Sequence, residues 1–224
     1  MESILECRNV SKVYEQGAVK VQAVDAVTVS LSKGEVLLIM GPSGSGKTTL
    51  LSIMGCILHP TAGDVTVDGR VVSGFGEDEL PMIRKKYFGF VFQTFNLFSS
   101  LTASENVEAL LRLKGHERGG LRHESMRLLE RVGLDKRASF YPRDLSGGEK
   151  QRVAFARALA GDPPIILADE PTANLDSKKG REILELLQHL AEETGKAVVI
   201  VSHDPKAEAL AHRVVFLEDG RIKA

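Results

Sequence analysis

Three short runs of consecutive apolar residues stand out along the chain, over residues 36–40, 165–168 and 197–201. Each run has the length of a strand and is partly β-branched, which is typical of strands that helices bury on both faces. Between the second and third runs, apolar residues recur at helical spacing over residues 177–194, so the order is strand, helix, strand. The pattern therefore predicts a βαβ unit and a parallel sheet at the centre of an α/β fold.

Two other patterns lie outside this centre. Apolar and hydroxyl side chains alternate over residues 27–32, which is the period of a half-buried strand, so the opening section is predicted to be β-rich. From about residue 95 to residue 141, two helical patterns centred on residues 107–111 and 128–132 are separated by a turn region. We interpret this stretch as a small helical subdomain inserted in the α/β core.

The length and composition are those of an ordinary globular chain. Of its 224 residues, 43% are hydrophobic and 26% are charged, which allows one sizeable core. A formal net charge of −1 supplies no general attraction to a polyanion. The run Arg84-Lys85-Lys86 could still meet a polyanion locally, but a solvated face is its expected role. We therefore expect no nucleic-acid partner.

No stretch of the sequence approaches the roughly 20 apolar residues that span a bilayer. The N-terminus also lacks the basic segment and apolar core of a secretory signal. We therefore expect a cytoplasmic protein without direct membrane insertion, whose membrane role comes through a partner. Cys7 and Cys56 are far apart and show no C-x-x-C spacing, so both are interpreted as buried or idle thiols.

The most specific motif is a glycine-rich segment that fits G-x-x-x-x-G-K-[ST], follows the apolar run 36–40 and precedes a helical pattern. Its glycines let backbone N–H groups turn toward phosphate oxygens, and the helix N-terminus adds a positive dipole. Lys47 can reach the terminal phosphates, and the Thr48 hydroxyl can bind Mg²⁺. A flexible glycine turn is the alternative, but the motif in this context favours phosphate binding. Its residues are Gly41, Pro42, Ser43, Gly44, Ser45, Gly46, Lys47 and Thr48, and Thr49 follows as a further nucleotide-binding candidate.

Two carboxylates, Asp169 and Glu170, end the apolar run that begins at residue 165. The end of a parallel strand lies at the carboxyl edge of the sheet, where α/β proteins bind their ligands. Asp169 can therefore hold Mg²⁺, and Glu170 can orient or deprotonate an attacking water. Taken alone, the pair is more typical of a solvated turn. Its combination with the phosphate loop favours hydrolysis.

The segment Leu145-Ser146-Gly147-Gly148-Glu149 precedes a helix predicted over about residues 150–160. Ser146 and Glu149 fit a capping box that would start this helix. A helix N-terminus with two glycines is also a second anion site, which a single nucleotide does not require. Both interpretations can hold together.

These elements occur in the order of an ATP-binding cassette protein, and the chain resembles the nucleotide-binding subunit of an ABC transporter over essentially its whole length. The resemblance implies a P-loop NTPase core with a parallel-sheet centre, an N-terminal antiparallel β subdomain and an inserted α-helical subdomain. It implies one nucleotide-binding domain over residues 1–224, with an α/β core of residues 1–93 and 142–224 and a helical subdomain of residues 94–141. The implied cofactors are ATP and Mg²⁺.

The resemblance also implies a homodimer that forms on ATP binding. In this family LSGGE completes the site of the opposite subunit, which assigns Ser146, Gly147 and Gly148 to the γ-phosphate of a partner's ATP. Asp176 matches the acid of the loop that connects the two sites, and is counted among the nucleotide-binding residues. Tyr14 stands where the family places an aromatic ring that stacks on adenine. Core packing is the alternative for Tyr14.

Two further residues match positions that the family uses in catalysis. Gln93 matches the loop glutamine that senses Mg²⁺ and attacking water, and that links the cassette to its transmembrane partner. His203 matches the switch histidine that contacts γ-phosphate and helps to organise the water. Taken alone, Gln93 would be an ordinary strand-end amide and His203 polar surface. With Glu170 they form the predicted catalytic set.

Residues 89–97 and 101–107 resemble the ATPase subunits of lipoprotein-releasing and macrolide-exporting transporters, and residues 17–22 are similar to the same subgroup. The implied function is ATP hydrolysis that powers a separate membrane permease of the export or lipoprotein-release type, with the chain held at the inner face of the cell membrane. The rival hypothesis is a nucleotide-gated scaffold or a DNA-associated ATPase. DNA-repair relatives insert long coiled coils into the head, whereas this chain is short.

Overall fold

Two sheets with helices packed on them form the structure, a computed structural model that describes residues 3–17 and 19–223, except for the Gln16 side chain. The first sheet begins with two long antiparallel strands, β1 (Ser3–Gln16) and β2 (Val19–Ser32). Strands β4 (Ala62–Val67) and β5 (Arg70–Val71) complete it in the order β2-β1-β4-β5. The predicted β-rich opening is confirmed. Within the segment 17–22, Ala18 lies outside the described residues.

The second sheet contains all three apolar runs as neighbouring or near-neighbouring strands. Its order is β10-β9-β3-β8-β7-β6, and every neighbouring pair is parallel except β9 with β10. The strands are β3 (Val36–Met40), β6 (Phe88–Val91), β7 (Ile165–Asp169), β8 (Ala197–Ser202), β9 (Arg213–Glu218) and β10 (Arg221–Lys223). Strands β3 and β8 are buried along their whole length, which explains their uninterrupted apolar sequence.

Six α-helices surround these sheets in the described part of the chain. Helix α6 has the predicted bounds, whereas α5 begins three residues earlier than expected, because Ser146 caps it and the two glycines form its first turn. Helices α3 and α4 occupy the stretch predicted to be helical. The helices are α1 (Lys47–Met54), α2 (Leu80–Tyr87), α3 (Ala103–Leu113), α4 (Leu121–Arg131), α5 (Gly147–Ala158) and α6 (Ser177–Thr194).

The parallel sheet separates two hydrophobic cores. In β3, Val36, Leu38 and Met40 enter the core shared with helices α3 to α6, whereas Leu37 and Ile39 enter the core shared with the antiparallel sheet and helix α1. This alternation follows from the two-residue period of a strand. Because helices or strands cover both faces, the carboxyl edge of the sheet is where a ligand can approach.

The predictions for the two cysteines and for the basic run at residues 84–86 have different outcomes. Cys7 and Cys56 are both buried, so the prediction of buried thiols is confirmed. This burial raises the pKa of Cys7 to about 12 and that of Cys56 to about 11. Arg84 is not part of a purely solvated face, because its guanidinium donates to the Cys56 carbonyl at 2.6 Å. Among the described residues, no helix is long and apolar enough to cross a membrane.

Candidate functional site

A cavity of about 530 Å³ opens at the carboxyl edge of the parallel sheet. It lies where β3, β7 and β8 end, and the glycine-rich loop between β3 and α1 forms one side of it. Most of the predicted phosphate-binding residues and all three predicted catalytic residues line this one cavity. The lining residues are Ala23, Pro42, Ser43, Gly44, Gly46, Lys47, Thr48, Thr49, Gln93, Glu170 and His203.

Two glycines of the loop are required by close backbone approach. A Cβ atom at Gly41 would lie 2.0 Å from the Leu217 carbonyl oxygen, and one at Gly46 would lie 2.1 Å from the Ala23 carbonyl oxygen. Both glycines also have positive φ angles, 155° and 99°, which side chains disfavour. The loop therefore lies tightly between the antiparallel sheet and β9, and its backbone has little freedom to move.

Helix α1 starts without a side-chain cap. Its N-cap residue, Gly46, has no side chain that could accept a hydrogen bond from the first-turn N–H groups. As in every α-helix, these N–H groups also lack an acceptor within the helix. The adjacent Lys47 is 7% exposed, and its ammonium donates to the carbonyl oxygens of Gly41 at 2.8 Å and Pro42 at 2.9 Å. The Ser45 hydroxyl is buried and has no hydrogen-bond partner among the described residues. Free donors, a helix dipole and a buried ammonium together suit an anion.

Thr48 and Asp169 meet at the edge of this cavity. The Thr48 hydroxyl donates to Asp169 Oδ1 at 3.1 Å. Burial raises the pKa of Asp169 above its ordinary value, and the Glu170 charge acts in the same direction, whereas the Thr48 hydrogen bond and Lys47 lower it. Adjacent hydroxyl and carboxylate oxygens are ligands that Mg²⁺ prefers, so the donor set fits this ion. Among the described residues, no three His, Cys, Asp or Glu side chains form a metal cluster, and a nucleotide or water would have to complete the shell.

Glu170 is held from two sides. Its Oε1 lies 2.9 Å from His203 Nδ1, and its Oε2 accepts a hydrogen bond from the Ser202 hydroxyl at 3.2 Å. Its φ of 44° lies in the left-handed region, which a non-glycine residue adopts at an energetic cost and which recurs at functional sites. Ser202 was not predicted from the sequence. The register of β7 and β8 explains its contact with Glu170. Asp169 pairs with Val201, so the residues that follow them, Glu170 and Ser202, lie side by side.

Gln93 is positioned through its backbone by Asn174, which belongs to the loop that resembles the connection between the two sites, but whose contact with Gln93 was not predicted. The Asn174 side-chain amide donates to the Gln93 carbonyl at 2.8 Å. Asn174 follows β7 in the loop that leads to α6, and Gln93 follows β6. Because β6 and β7 are parallel neighbours, the two loops leave the same edge of the sheet. Asn174 therefore ties the loop after β6 to the one after β7.

Ser146, Gly147 and Gly148 do not line the cavity. They start α5, where the Ser146 hydroxyl accepts from the Glu149 N–H at 3.3 Å and Glu149 Oε2 accepts from the Ser146 N–H at 2.8 Å. The predicted capping box is therefore confirmed. The Ser146 N–H, together with the Arg137 guanidinium at 3.0 Å, holds the pKa of Glu149 below its ordinary value. A Cβ atom at Gly147 would lie 3.3 Å from the Asn174 carbonyl oxygen. The start of α5 thus lies beside the loop that precedes α6.

Asp176 and Tyr14 also lie outside the cavity lining. Asp176 caps α6, since its Oδ1 accepts from the Lys179 N–H at 3.0 Å, and it forms an ion pair with the Lys179 ammonium at 3.2 Å. Tyr14 is 44% exposed on β1, which excludes the alternative of core packing. It pairs with Val21 of β2, two residues from the cavity-lining Ala23, so its strand position is near the cavity.

Comparisons with known proteins show the family of this chain. Residues 24–173 match the family model described as ABC transporter. The ABC transporter ATP-binding protein MJ0796 of Methanocaldococcus jannaschii is 46% identical over 98% of this chain and 95% of its own length. The macrolide export ATP-binding/permease protein MacB of Photorhabdus laumondii subsp. laumondii is 42% identical over 99% of this chain, which spans only 34% of MacB. A solved dimeric structure of MJ0796, in a post-hydrolysis state bound to ADP and Pi, superposes with a TM-score of 0.92 at 44% identity, over 98% of this chain and 97% of that chain.

Proposed function

The chain belongs to the ABC transporter family as an ATP-binding and ATP-hydrolysing subunit, and we propose that its cavity is one half of a site that a second copy completes. The observation that carries this proposal is the separation of the two anion-binding helix starts. The phosphate loop lines the cavity, whereas the start of α5 does not. One chain therefore presents both halves, but does not combine them.

In this proposal the phosphate loop and Lys47 hold the phosphates of ATP. The uncapped start of α1 supplies N–H donors and a positive dipole, and Lys47 exchanges its carbonyl partners for the terminal phosphates. Ser43, Ser45 and Thr49 add hydroxyl donors along the same loop. Tyr14, exposed at a strand position near the cavity, stacks on the adenine ring.

Thr48, Asp169 and Gln93 would hold Mg²⁺. The 3.1 Å contact of the Thr48 hydroxyl with Asp169 supports this assignment, because it brings two suitable oxygen ligands together beside the phosphate loop. When bound, the ion neutralises negative charge on the phosphate oxygens. The same positive charge would offset the cost of burying the Asp169 carboxylate.

Glu170 acts as the base that orients the attacking water and accepts its proton. The hydroxyl of Ser202 and the imidazole of His203 fix the two oxygens of Glu170, so its carboxylate is oriented before the substrate binds. Fixing a base in advance lowers the entropy cost of the reaction. In the proposal His203 also contacts the γ-phosphate, for which its place in the cavity lining gives support.

Two copies then close around two ATP molecules. Ser146, Gly147 and Gly148 of one copy bind the γ-phosphate held by the phosphate loop of the other, and Asp176 lies between the two sites. The dimeric solved structures of MJ0796 support this arrangement. The helical subdomain of residues 94–141 carries the motion of closure and reopening relative to the core of residues 1–93 and 142–224.

A separate membrane permease uses this motion. The relative MacB carries ATP-binding and permease parts in one chain, of which this chain matches about a third, and this likeness supports a permease as the partner. The chain then works in the cytoplasm at the inner face of the membrane, without entering it. An export or lipoprotein-release role follows the likeness to MacB, and no nucleic acid takes part.

Sedimentation with and without ATP tests the shared site. The Glu170→Gln variant should bind ATP and sediment as a dimer, because the binding groups remain while hydrolysis is slowed. Adding Ser146→Arg should leave a monomer that still binds ATP, because the long side chain blocks the γ-phosphate contact. An intact ATP-dependent dimer in the double variant would exclude the proposed role of the α5 start.

Co-purification tests the partner. The tagged chain, recovered from gently solubilised membranes of its own cells, should carry an integral membrane protein in a fixed ratio. Ser146→Arg should retain this partner, because the variant interrupts contact between copies only. Recovery with ribosomes or DNA instead of a membrane protein would overturn the transport role, and recovery with DNA would favour the DNA-associated ATPase of the rival hypothesis.

A further inference from the structure

A second cavity of about 490 Å³ lies on another face of the molecule and shares no lining residue with the ATP cavity. Five basic side chains converge on it from three segments: Arg70 from β5, Lys85 and Lys86 from the end of α2, and Lys114 and His116 from the segment after α3. This concentration is unusual for a chain whose net charge is −1.

The five basic groups form no ion pair within the described part of the chain. Three carboxylates act on them from nearby, and each has a partner. Asp68 accepts from the Tyr87 hydroxyl at 3.1 Å, whereas Asp162 and Glu124 form ion pairs with other cations, each at 2.6 Å. The cavity therefore carries an excess of positive charge.

Packing holds Lys114 and Lys85 in this arrangement. The Lys114 stem lies against Gly161, where a Cβ atom would be 2.5 Å from its Cδ, and its ammonium donates to the Phe88 carbonyl at 3.1 Å. The Lys85 ammonium would lie 3.7 Å from a Cβ atom at Gly115, which is next to Lys114 in the chain. Burial and the charge of Lys196 lower the pKa of Lys114 to about 8, against the opposite effect of Asp162. The low pKa therefore reflects chiefly the partial burial of this ammonium at the edge of the cavity.

Basic residues at the ends of α2 and α3 also interact favourably with the helix dipoles, but that effect alone does not require a shared cavity. One wall of this cavity is apolar, and its exposed part is Met82, which is 65% exposed, whereas Val67 and Ile83 are buried. The geometry points to a second anion site, which takes a phosphate monoester whose organic group lies toward Met82. Two negative charges would match the cluster of lysines, and such charge-assisted hydrogen bonds are among the strongest that proteins form.

Calorimetric titration of the chain saturated with ADP tests this site, because ADP occupies the phosphate loop. The probes are glycerol 3-phosphate, a free monoester, and dihexanoyl phosphatidic acid, which carries the same group on a short lipid. We expect one-to-one binding. The double variant Lys85→Gln/Lys86→Gln should weaken it by about tenfold or more, because two charge-assisted contacts are lost, and Lys85→Arg/Lys86→Arg should retain it.

The matched control is Lys33→Gln/Lys136→Gln, which removes two exposed lysines that do not line this cavity and should leave the affinity unchanged. Equal affinity for both probes would assign the site to a free phosphate ester, and tighter binding of the acylated probe would assign it to a lipid headgroup. Affinity for ADP reports that each variant is folded. Absence of saturable binding of both probes, or equal weakening in the two glutamine variants, would overturn the site.

Discussion

The two helix starts that the proposed site uses differ in how their N–H groups are satisfied. Helix α1 begins at Gly46 with no side-chain cap, whereas α5 begins at Ser146 with a complete capping box. The first turn of α1 is therefore stabilised by no acceptor of its own, which makes it the stronger anion site. The start of α5 is already stabilised by its own cap in the single chain. Only the N–H groups that the cap does not use can bind an anion there.

This difference is expected if the start of α1 binds ATP within one chain and the start of α5 contacts the ATP of a second copy. A loop that must bind ATP in a single copy benefits from unsatisfied donors and a buried ammonium. A start that meets a partner's ATP only on closure benefits from being rigid beforehand, because less entropy is lost when the copies meet. Ser146 is exposed and Gly147 half-buried, whereas Gly148 is buried against the Lys179 side chain, where a Cβ atom would lie 2.8 Å from Lys179 Cδ. The comparison can be tested on each side separately.

The largest effect is expected at Glu170, which lies beside the uncapped start. Glu170→Gln should slow ATP turnover by about 10²- to 10⁴-fold, because the variant removes the proposed general base, while both helix starts remain intact. Steady-state phosphate release and equilibrium ATP binding together measure this. The control, Glu185→Gln, removes an exposed carboxylate from α6 and should leave turnover unchanged. Normal turnover in Glu170→Gln would remove Glu170 from the catalytic set.

Lys47→Ala should have the next largest effect, on binding instead of chemistry. Loss of a charge-assisted contact to the phosphates should reduce ATP affinity by about 10- to 100-fold. Titration with a fluorescent ATP analogue measures the change, and Lys33→Ala is the exposed-lysine control. An unchanged affinity would mean that the start of α1 binds phosphate without the Lys47 ammonium. The difference between α1 and α5 would then lie in their backbone N–H groups alone.

Ser146→Ala separates the two roles of the capped start. Loss of the cap should lower the free energy of unfolding by about 1 kcal/mol. Thr102→Ala is the matched control, because Thr102 caps α3 with the same kind of capping box, completed by Glu105, and should cost a similar amount. Urea unfolding measures both variants. Only Ser146→Ala should also lower the fraction of ATP-dependent dimer in sedimentation. An equal dimer fraction in both variants would mean that Ser146 only caps the helix and does not contact the partner's ATP.

The parts of the fold that could be predicted are those that local sequence determines. Strand β3 is buried on both faces, so its apolar run marked its bounds. Helix α6 has an Asp176 cap at one end and a left-handed Gly195 at the other, and both are recognisable signals. The start of α5 was predicted too late, because two glycines are poor helix formers and the capping box, not propensity, decides where the helix begins.

The contacts that sequence reasoning missed join residues that are distant in the chain. Ser202 supports Glu170 only because β7 and β8 are neighbours in a particular register. Asn174 reaches Gln93 across 81 positions, and Arg84 reaches the Cys56 carbonyl from another element. No local pattern carries these pairings. The motifs thus indicated which residues form the site, while the sheet order determines which side chains hold them in place.

The smallest predicted effect concerns two carboxylates: Asp169, which lies near the uncapped start of α1, and Glu149, which belongs to the cap of α5. The pKa of Asp169 is raised, chiefly by burial, so its ionisation opposes folding: the favourable contribution is present below the unfolded-state pKa and is lost as pH rises through the folded-state value. The pKa of Glu149 is lowered, chiefly by the Ser146 N–H, so its contribution is present at neutral pH and is lost as pH falls through the folded-state value.

Asp169→Asn should therefore raise the melting temperature of the nucleotide-free chain at pH 7 by about 2 °C, while activity falls. Glu149→Gln should lower it, because an uncharged amide accepts the Ser146 N–H less strongly. The Asp169 difference should shrink as the pH falls through the raised pKa of this carboxyl, whereas the Glu149 difference should persist toward pH 4, because the pKa of Glu149 is lowered. Thermal scans between pH 4 and pH 7 measure this, with the exposed Asp144→Asn as control. A fall in melting temperature for Asp169→Asn at pH 7 would show that the Thr48 contact outweighs the cost of burial, and that the uncapped side stabilises the single chain as the capped side does.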